Sequence, residues 1–289
     1  MNSNNLTIIN RSFAQDVLKG LSANPKVLYS RYFYNEKGDQ LFQEIMKLDE
    51  YYLTRTEYAI FSEQKAFLLD LFTRDNSGFD LIEFGAGDGY KTKVLLSYFQ
   101  ENQASFRYLP IDISANVLDE LVDDLKETIP ELEVDGIQGE YFKSLSRLSD
   151  TSEAKKVILF LGSNIGNFKR EEAILFLSKI GANLSPDDIL LIGFDLKKDP
   201  AVILDAYNDK KGVTRAFNLN LLQRINDELG GNFRLDKFRH YPVYDPMTGE
   251  TRSYLVSIEE QVVCIGGLEK EFLFKAWEPI FMEISKKYD

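Results

Sequence analysis

Apolar residues recur in two rhythms along this chain, and the change of rhythm divides it. From residue 78 to residue 196, short β-rich apolar runs alternate with stretches whose apolar positions return every three or four residues. That alternation marks repeated βαβ units and a mostly parallel sheet. Runs at 79–84, 106–111, 156–161 and 189–194 predict strands, with a weaker one at 132–137. Between them, 91–99, 115–127 and 170–183 carry the apolar stripe of crossover helices. A further helix is predicted over 57–72.

Outside that block the pattern changes. Residues 1–60 are rich in Tyr and Phe, as in Arg31-Tyr-Phe-Tyr-Asn and Glu50-Tyr-Tyr-Leu-Thr-Arg-Thr-Glu. After Asp199 the chain is first helical, at 201–207 and 219–228, and then alternates as strands do, at 252–259, 261–265 and 272–287. An antiparallel, aromatic-bearing module beside a parallel sheet reads as a substrate lobe. The expected organisation is therefore α/β, with 61–196 as a cofactor-binding domain and 1–60 with 197–289 as a mixed α+β substrate-binding lobe. No internal repeat or low-complexity segment interrupts it.

Composition narrows the chemistry. With 289 residues and 44% hydrophobic content, the chain can bury a full core. Forty-six acidic against 34 basic residues give a net charge of −12, without a basic patch, so neither nucleic acid nor an anionic membrane is an expected partner. Asn208-Asp209-Lys210-Lys211 reads as a solvated loop. The single cysteine, Cys264, excludes an internal disulfide and, between Val263 and Ile265, is expected as a buried, inert thiol in a strand. No leader-like start and no run near the ~20 apolar residues of a membrane span appear, so the cytoplasm is expected; a monomer is expected as well.

One histidine, His240, excludes a zinc site of several imidazoles, and no metal is expected. Within Lys237-Phe-Arg-His-Tyr-Pro it reads as a structural histidine with its hydrogen bonds satisfied, on a surface strand. No phosphate-cradling Gly-x-x-x-x-Gly-Lys-Ser/Thr run is present.

The sharpest local feature is Asp80-Leu-Ile-Glu-Phe-Gly-Ala-Gly-Asp-Gly-Tyr-Lys-Thr, a hydrophobic strand ending in an acid and opening onto Gly85, Gly87 and Gly89. Glycines there allow a sharp turn and let a nucleotide-type ligand lie on bare backbone. A dinucleotide loop wants its third glycine where this chain has Tyr90, which weakens a pyrophosphate reading. Glu83-x-Gly-x-Gly-x-Gly resembles instead the first motif of class I methyltransferases, whose cofactor has no phosphate. Asp112, at the end of the second strand, is placed to accept both ribose hydroxyls, for this cofactor or for NAD. Glu140 and Tyr141, past the third strand, offer an acceptor and a ring for an adenine.

Beyond the fourth strand come Phe160-Leu-Gly-Ser-Asn-Ile-Gly-Asn-Phe, Gly193-Phe-Asp-Leu-Lys-Lys-Asp-Pro and Ala206-Tyr-Asn-Asp-Lys-Lys-Gly-Val-Thr-Arg-Ala-Phe-Asn-Leu-Asn. With Lys47-Leu-Asp-Glu-Tyr-Tyr-Leu-Thr-Arg-Thr-Glu, these resemble the histidine-specific Nα-methyltransferases, which trimethylate histidine to hercynine in ergothioneine biosynthesis. The resemblance runs over nearly the whole chain. It implies a Rossmann-like class I methyltransferase sheet, S-adenosylmethionine as cofactor, and L-histidine as substrate. It puts Gly85, Lys91, Asp112, Glu140 and Tyr141 on cofactor-contacting positions, beside Glu83 and Gly87 of the first motif; here Glu140-Tyr141 stands where the family has Asp-Phe. For the substrate it implies Tyr51, Asn167 and Tyr207 on the α-amino-carboxylate, Gly162 lining the same pocket, and Tyr34 beside the amine. Glu283 and Ser285 match the pair that reads the imidazole, and their two-residue spacing turns both to one face of a strand.

Methyl transfer from a sulfonium is an in-line displacement that needs a neutral, aimed amine more than a strong base, a task assigned to Tyr34, Tyr51 and Asn167. Two other readings stand beside this one: another amino acid or small amine as acceptor on the same fold, and a non-catalytic module that binds cofactor or amino acid. An NAD dehydrogenase is more distant. The family also continues past the Glu-x-Ser strand with a helix and a final strand, whereas this sequence ends at Asp289.

Overall fold

The computed structural model describes residues 8–75, 77–139, 141, 144 and 154–289. It divides into two compact units, Met1–Tyr51 with Lys197–Ser285, and Tyr52–Leu196 with Lys286–Asp289.

The second unit holds the parallel sheet. Its strands are β2 (Phe79–Phe84), β3 (Phe106–Asp112), β4 (Ile137–Gln138), β5 (Lys155–Phe160) and β6 (Ile189–Ile192), hydrogen-bonded in the order β4-β3-β2-β5-β6 and all parallel. Both faces are covered, which is why these strands are nearly continuous apolar runs. Alternate residues feed two cores. Leu81, Tyr108, Val157 and Leu159 pack against α3 (Tyr52–Phe72), α4 (Lys93–Glu101) and α5 (Ala115–Thr128) through residues such as Phe72, Phe99 and Leu125. Ile82, Phe84, Ile158 and Phe160 pack on the other side against Phe176 and Ile180 of α6 (Arg170–Gly181). Each of those fully buried side chains contributes roughly 1.5–3 kcal/mol. Asp80, buried within the sheet, is neutralised by its register partner Arg107 through two hydrogen bonds of 3.1 and 2.9 Å.

The first unit is mixed. A four-stranded sheet runs β1 (Lys26–Val27), β11 (Pro279–Lys286), β8 (Glu250–Ser257), β7 (Phe238–Asp245), beside a hairpin of β9 (Gln261–Ile265) and β10 (Lys270–Phe274). Helices α1 (Ile8–Ser22), α2 (Glu36–Met46), α7 (Pro200–Ala206) and α8 (Val213–Leu229) complete it. Phe13, Phe33, Phe217, Leu221, Leu255 and Ile280 belong to a single core here, with Phe33 and Phe217 edge to face at 4.9 Å.

Several expectations are corrected. The predicted strand over 132–137 is interrupted: Val134 makes one bridge to Tyr108, and the ladder proper is only Ile137–Gln138. The run 272–287 is two strands, broken where Trp277 takes a left-handed φ of 66° and Glu278 accepts the Lys275 N–H at 2.8 Å. Cys264 does lie in a strand but is half-buried, and its thiol is pushed up by a hydrogen bond to Glu271. Asp209 is not solvated: 7% exposed, it accepts the N–H groups of Val213 and Thr214 at 2.9 and 2.8 Å and caps α8. His240 is on a strand, yet its side chain is buried and its Nε2 has no hydrogen-bond partner among the described residues. No described helix is long and apolar enough to cross a membrane.

Candidate functional site

In open parallel sheets, ligands bind beyond the carboxyl ends of the strands. The glycine turn lies there, at the end of β2, the middle strand of the five. Gly85 and Gly87 take left-handed φ values of 69° and 57°, which a side-chain-bearing residue adopts only with strain. They differ in what surrounds them. A Cβ on Gly85 would stand 2.9 Å from the Tyr141 hydroxyl, whereas one on Gly87 would meet nothing within 4 Å. Gly87 therefore presents bare backbone to open space.

Asp112 closes β3 next to that turn. Its Oδ2 accepts the Gly87 N–H at 3.3 Å and its Oδ1 accepts the Ser114 N–H at 3.0 Å, so the acid and the turn hold one another. Burial raises its carboxyl, while these backbone donors pull it back down. The remaining lone pairs of Asp112 are acceptors of the kind that a ribose diol can use. Tyr141 stacks one face on Phe84, with centroids 4.9 Å apart and planes 8° from parallel. Glu140 lies outside the described residues.

Glu83 sits beneath the turn and is buried. Its two oxygens accept hydrogen bonds from Thr92 Oγ1 at 2.8 Å and Tyr108 Oη at 2.5 Å. Burial pushes its carboxyl up to about 7, against the lowering pull of the Tyr108 and Thr92 hydroxyls and the Lys91 charge. Its part is to brace the start of α4 and the turn from below. Lys91, just after the turn, is ion-paired with Glu57 of α3.

Gly162 and Asn167 are in the same unit, on the segment after β5, Asn167 ending a short 3-10 helix, Asn164–Asn167. The Gly162 N–H is held by both oxygens of Glu57, at 2.8 and 3.0 Å. The other unit carries Tyr34, Tyr51, Tyr207, Glu283 and Ser285. Two groupings form among them. Tyr34 and Tyr51 flank Phe42 edge to face, at 5.7 and 6.3 Å. The Tyr207 hydroxyl donates to Ser285 Oγ at 2.8 Å, and Glu283, half-buried, is two positions away on β11. Among the described residues, no group of three or more His, Cys, Asp or Glu could hold a metal ion.

Sequence reasoning missed two groups. One is Glu57, which carried no role beyond closing the Lys47–Glu57 run and opening the predicted helix over 57–72. The other is Asp195, which accepts from Tyr52 Oη at 2.6 Å and pairs with the fully buried Lys287 at 2.9 Å. Only the burial of a lysine near the chain's end could have signalled it, and burial of a single charge is not written in periodicity.

A parallel sheet with a glycine turn on its middle strand and an acid ending the neighbour is the framework of a class I S-adenosylmethionine-dependent methyltransferase. The fit is good: bare backbone at Gly87 and, beside it, the free acceptor capacity of Asp112 suit a nucleoside-bearing cofactor. Residues 13–289 match the model of the histidine-specific, S-adenosylmethionine-dependent methyltransferases, and the chain belongs to that family. It is 34% identical to a histidine N-alpha-methyltransferase of Mycolicibacterium smegmatis, over 95% of this chain and 84% of that one. A histidine N-alpha-methyltransferase of Mycobacterium tuberculosis is 32% identical over the same shares. Ergothioneine biosynthesis protein 1 of Schizosaccharomyces pombe is 31% identical over 90% of this chain, which spans 34% of that longer protein.

Proposed function

We infer that this protein transfers methyl groups from S-adenosylmethionine to the α-amine of L-histidine, up to the trimethylated product hercynine, as a cytoplasmic enzyme. One observation carries the reading: the family match runs from residue 13 to residue 289 and so includes both the glycine turn and the strand with Glu283 and Ser285. The bound donor supplies an electrophilic methyl on a sulfonium. Everything else falls to the chain.

Gly85 and Gly87 give the donor a backbone surface, Asp112 accepts its ribose hydroxyls, and Tyr141 offers a ring to the adenine. Lys91 supplies a cation for the donor's one carboxylate. Glu83 holds the turn in shape. For the acceptor, the family resemblance assigns Tyr51, Asn167 and Tyr207 to the amino-carboxylate, Gly162 to the lining of its pocket and Tyr34 to the amine. An aimed, uncharged amine is what an in-line displacement requires; hydroxyl and carbonyl oxygens accept hydrogen bonds from its N–H groups and orient it, and the proton it sheds passes to water. Aromatic faces tolerate the growing positive charge of the product. Glu283 and Ser285 read the imidazole, a carboxylate accepting from one ring N–H and a hydroxyl adapting to the other nitrogen.

Incubation with S-adenosylmethionine and each of the amino acids in turn, followed by mass detection, tests this. Histidine gaining one, two and three methyl groups, with other amino acids unchanged, is the expected result. Methylation of a different amino acid in preference to histidine transfers the role of Glu283 and Ser285 to another side chain. No methylation of any of them removes the enzymatic reading.

A further inference from the structure

Three strand ends of the parallel unit meet at one carboxylate. Glu57 lies on the first turns of α3, away from the glycine turn in sequence, yet its side chain reaches all three. It ion-pairs with Lys91, after the β2 turn. It accepts the Gly162 N–H, after β5, with both oxygens. A Cβ on Gly193, after β6, would overlap Glu57 Oε1, so that glycine is where the carboxylate is allowed in. The Glu57 and Lys91 side chains are 15% and 18% exposed, shielded enough for the pair to be well held.

We propose that Glu57 is a positioning residue for the methyl donor: it holds the Lys91 ammonium at the rim of the glycine turn and locks the Gly162 segment beside it. This rests on the donor reading given above. An ammonium has three donors and keeps two after pairing with Glu57, so Lys91 serves the donor's carboxylate without leaving its partner. A lysine side chain otherwise samples many rotamers, and fixing one before the ligand arrives removes that ordering cost from binding. The Gly162 lock matters because its peptide is at the carboxyl edge of β5, adjacent in the sheet to β2.

The test compares two ligands that differ only at the amino-acid end, S-adenosylhomocysteine and 5′-methylthioadenosine. Glu57→Ala should weaken S-adenosylhomocysteine by about tenfold while leaving 5′-methylthioadenosine within about twofold. Glu57→Gln, which still accepts the Gly162 N–H but has no charge for Lys91, should lose about threefold for the first ligand alone. In a Lys91→Ala background, Glu57→Ala should add only about threefold, the share owed to the Gly162 lock, and Glu57→Gln less than about twofold, because carboxylate charge and ammonium act as one unit. In turnover the donor KM rises while kcat at saturating donor is largely kept. Equal loss of both ligands would reduce Glu57 to a structural brace, and an undiminished penalty without Lys91 would break the proposed route; either overturns the inference. Where Glu57→Ala fails to fold, Glu57→Gln decides alone, and wild-type affinity in it is a negative answer. Wild-type protein that binds neither ligand removes the donor reading and this inference together, whereas tight wild-type binding with unaffected variants removes this inference only.

Discussion

The two units treat their buried polar groups differently. In the parallel unit, charge taken into the interior is met: Glu83 by two hydroxyls, Asp80 by Arg107, Asp195 by Lys287 and the Tyr52 hydroxyl. In the mixed unit, buried atoms including Asn218 Oδ1, His240 Nε2 and Thr251 Oγ1 have no hydrogen-bond partner among the described residues. A partnered buried network is rigid and specifies one geometry; an unpartnered buried polar atom costs roughly 1–3 kcal/mol. The first arrangement suits a surface that must be preset for a cofactor. The second leaves the mixed unit polar positions whose removal is cheap, and it makes the two units respond to change in opposite ways.

The largest effect comes from making the parallel unit resemble the mixed one. Lys287→Met leaves Asp195 charged and without its ammonium in a site where it is 7% exposed, and should cost about 3–5 kcal/mol in denaturant unfolding. Lys287→Met with Asp195→Leu, which removes both charges, should recover most of that loss. If the single variant is as stable as wild type, the pair is not what holds the chain's end.

Next is pH, where the two units have opposite signs. Burial lowers His240 from 6.5 to about 4. The unfolded chain therefore takes up this proton first, and the fold loses stability as pH falls through that window, by about 3 kcal/mol when complete. Glu83 is raised from 4.5 to about 7. Its folded form binds the proton first, so the fold gains a similar amount as pH falls through 7 toward 4.5. The two contributions offset one another in the wild type. His240→Phe should expose the Glu83 slope, a protein that grows more stable on mild acidification, and Glu83→Gln should expose the opposite slope. Parallel pH profiles for the two variants would contradict both assignments.

The smallest effect tests the unpartnered side. Thr251→Val removes a buried hydroxyl at nearly constant shape and should leave stability unchanged or raise it by up to about 1 kcal/mol. A loss beyond about 1 kcal/mol in thermal unfolding would mean that the hydroxyl has a partner in solution.

What could be read from the chain beforehand follows the same division. The strands at 79–84 and 261–265, the helix over 115–127 and the glycine turn were legible because local pattern and final environment agree: the continuous run at 79–84 is buried on both faces, 261–265 buries alternate positions, and a glycine cluster turns. The break at Trp277 was not, since a side chain from Glu278 makes that turn and periodicity runs straight across it. Asp209 looked solvated because two lysines follow it; its cap on α8 depends on where the helix starts, a boundary the sequence states weakly. Glu57 was legible as part of a helix and illegible as a site residue. Its partners come from three strand ends distant in sequence, and only the folded sheet brings these together.

The central claim is that open backbone at Gly87, beside Asp112, is the surface on which the methyl donor lies. Calorimetric titration of wild-type protein and Gly87→Ala with S-adenosylhomocysteine tests it most directly. The account predicts one site per chain in the wild type. In the variant it predicts a loss of affinity of at least about tenfold, with a stability cost of only ~1 kcal/mol from the left-handed backbone, because the added methyl meets no protein atom and only the ligand. Equal affinity in the two proteins, or no heat of binding in either, would contradict it.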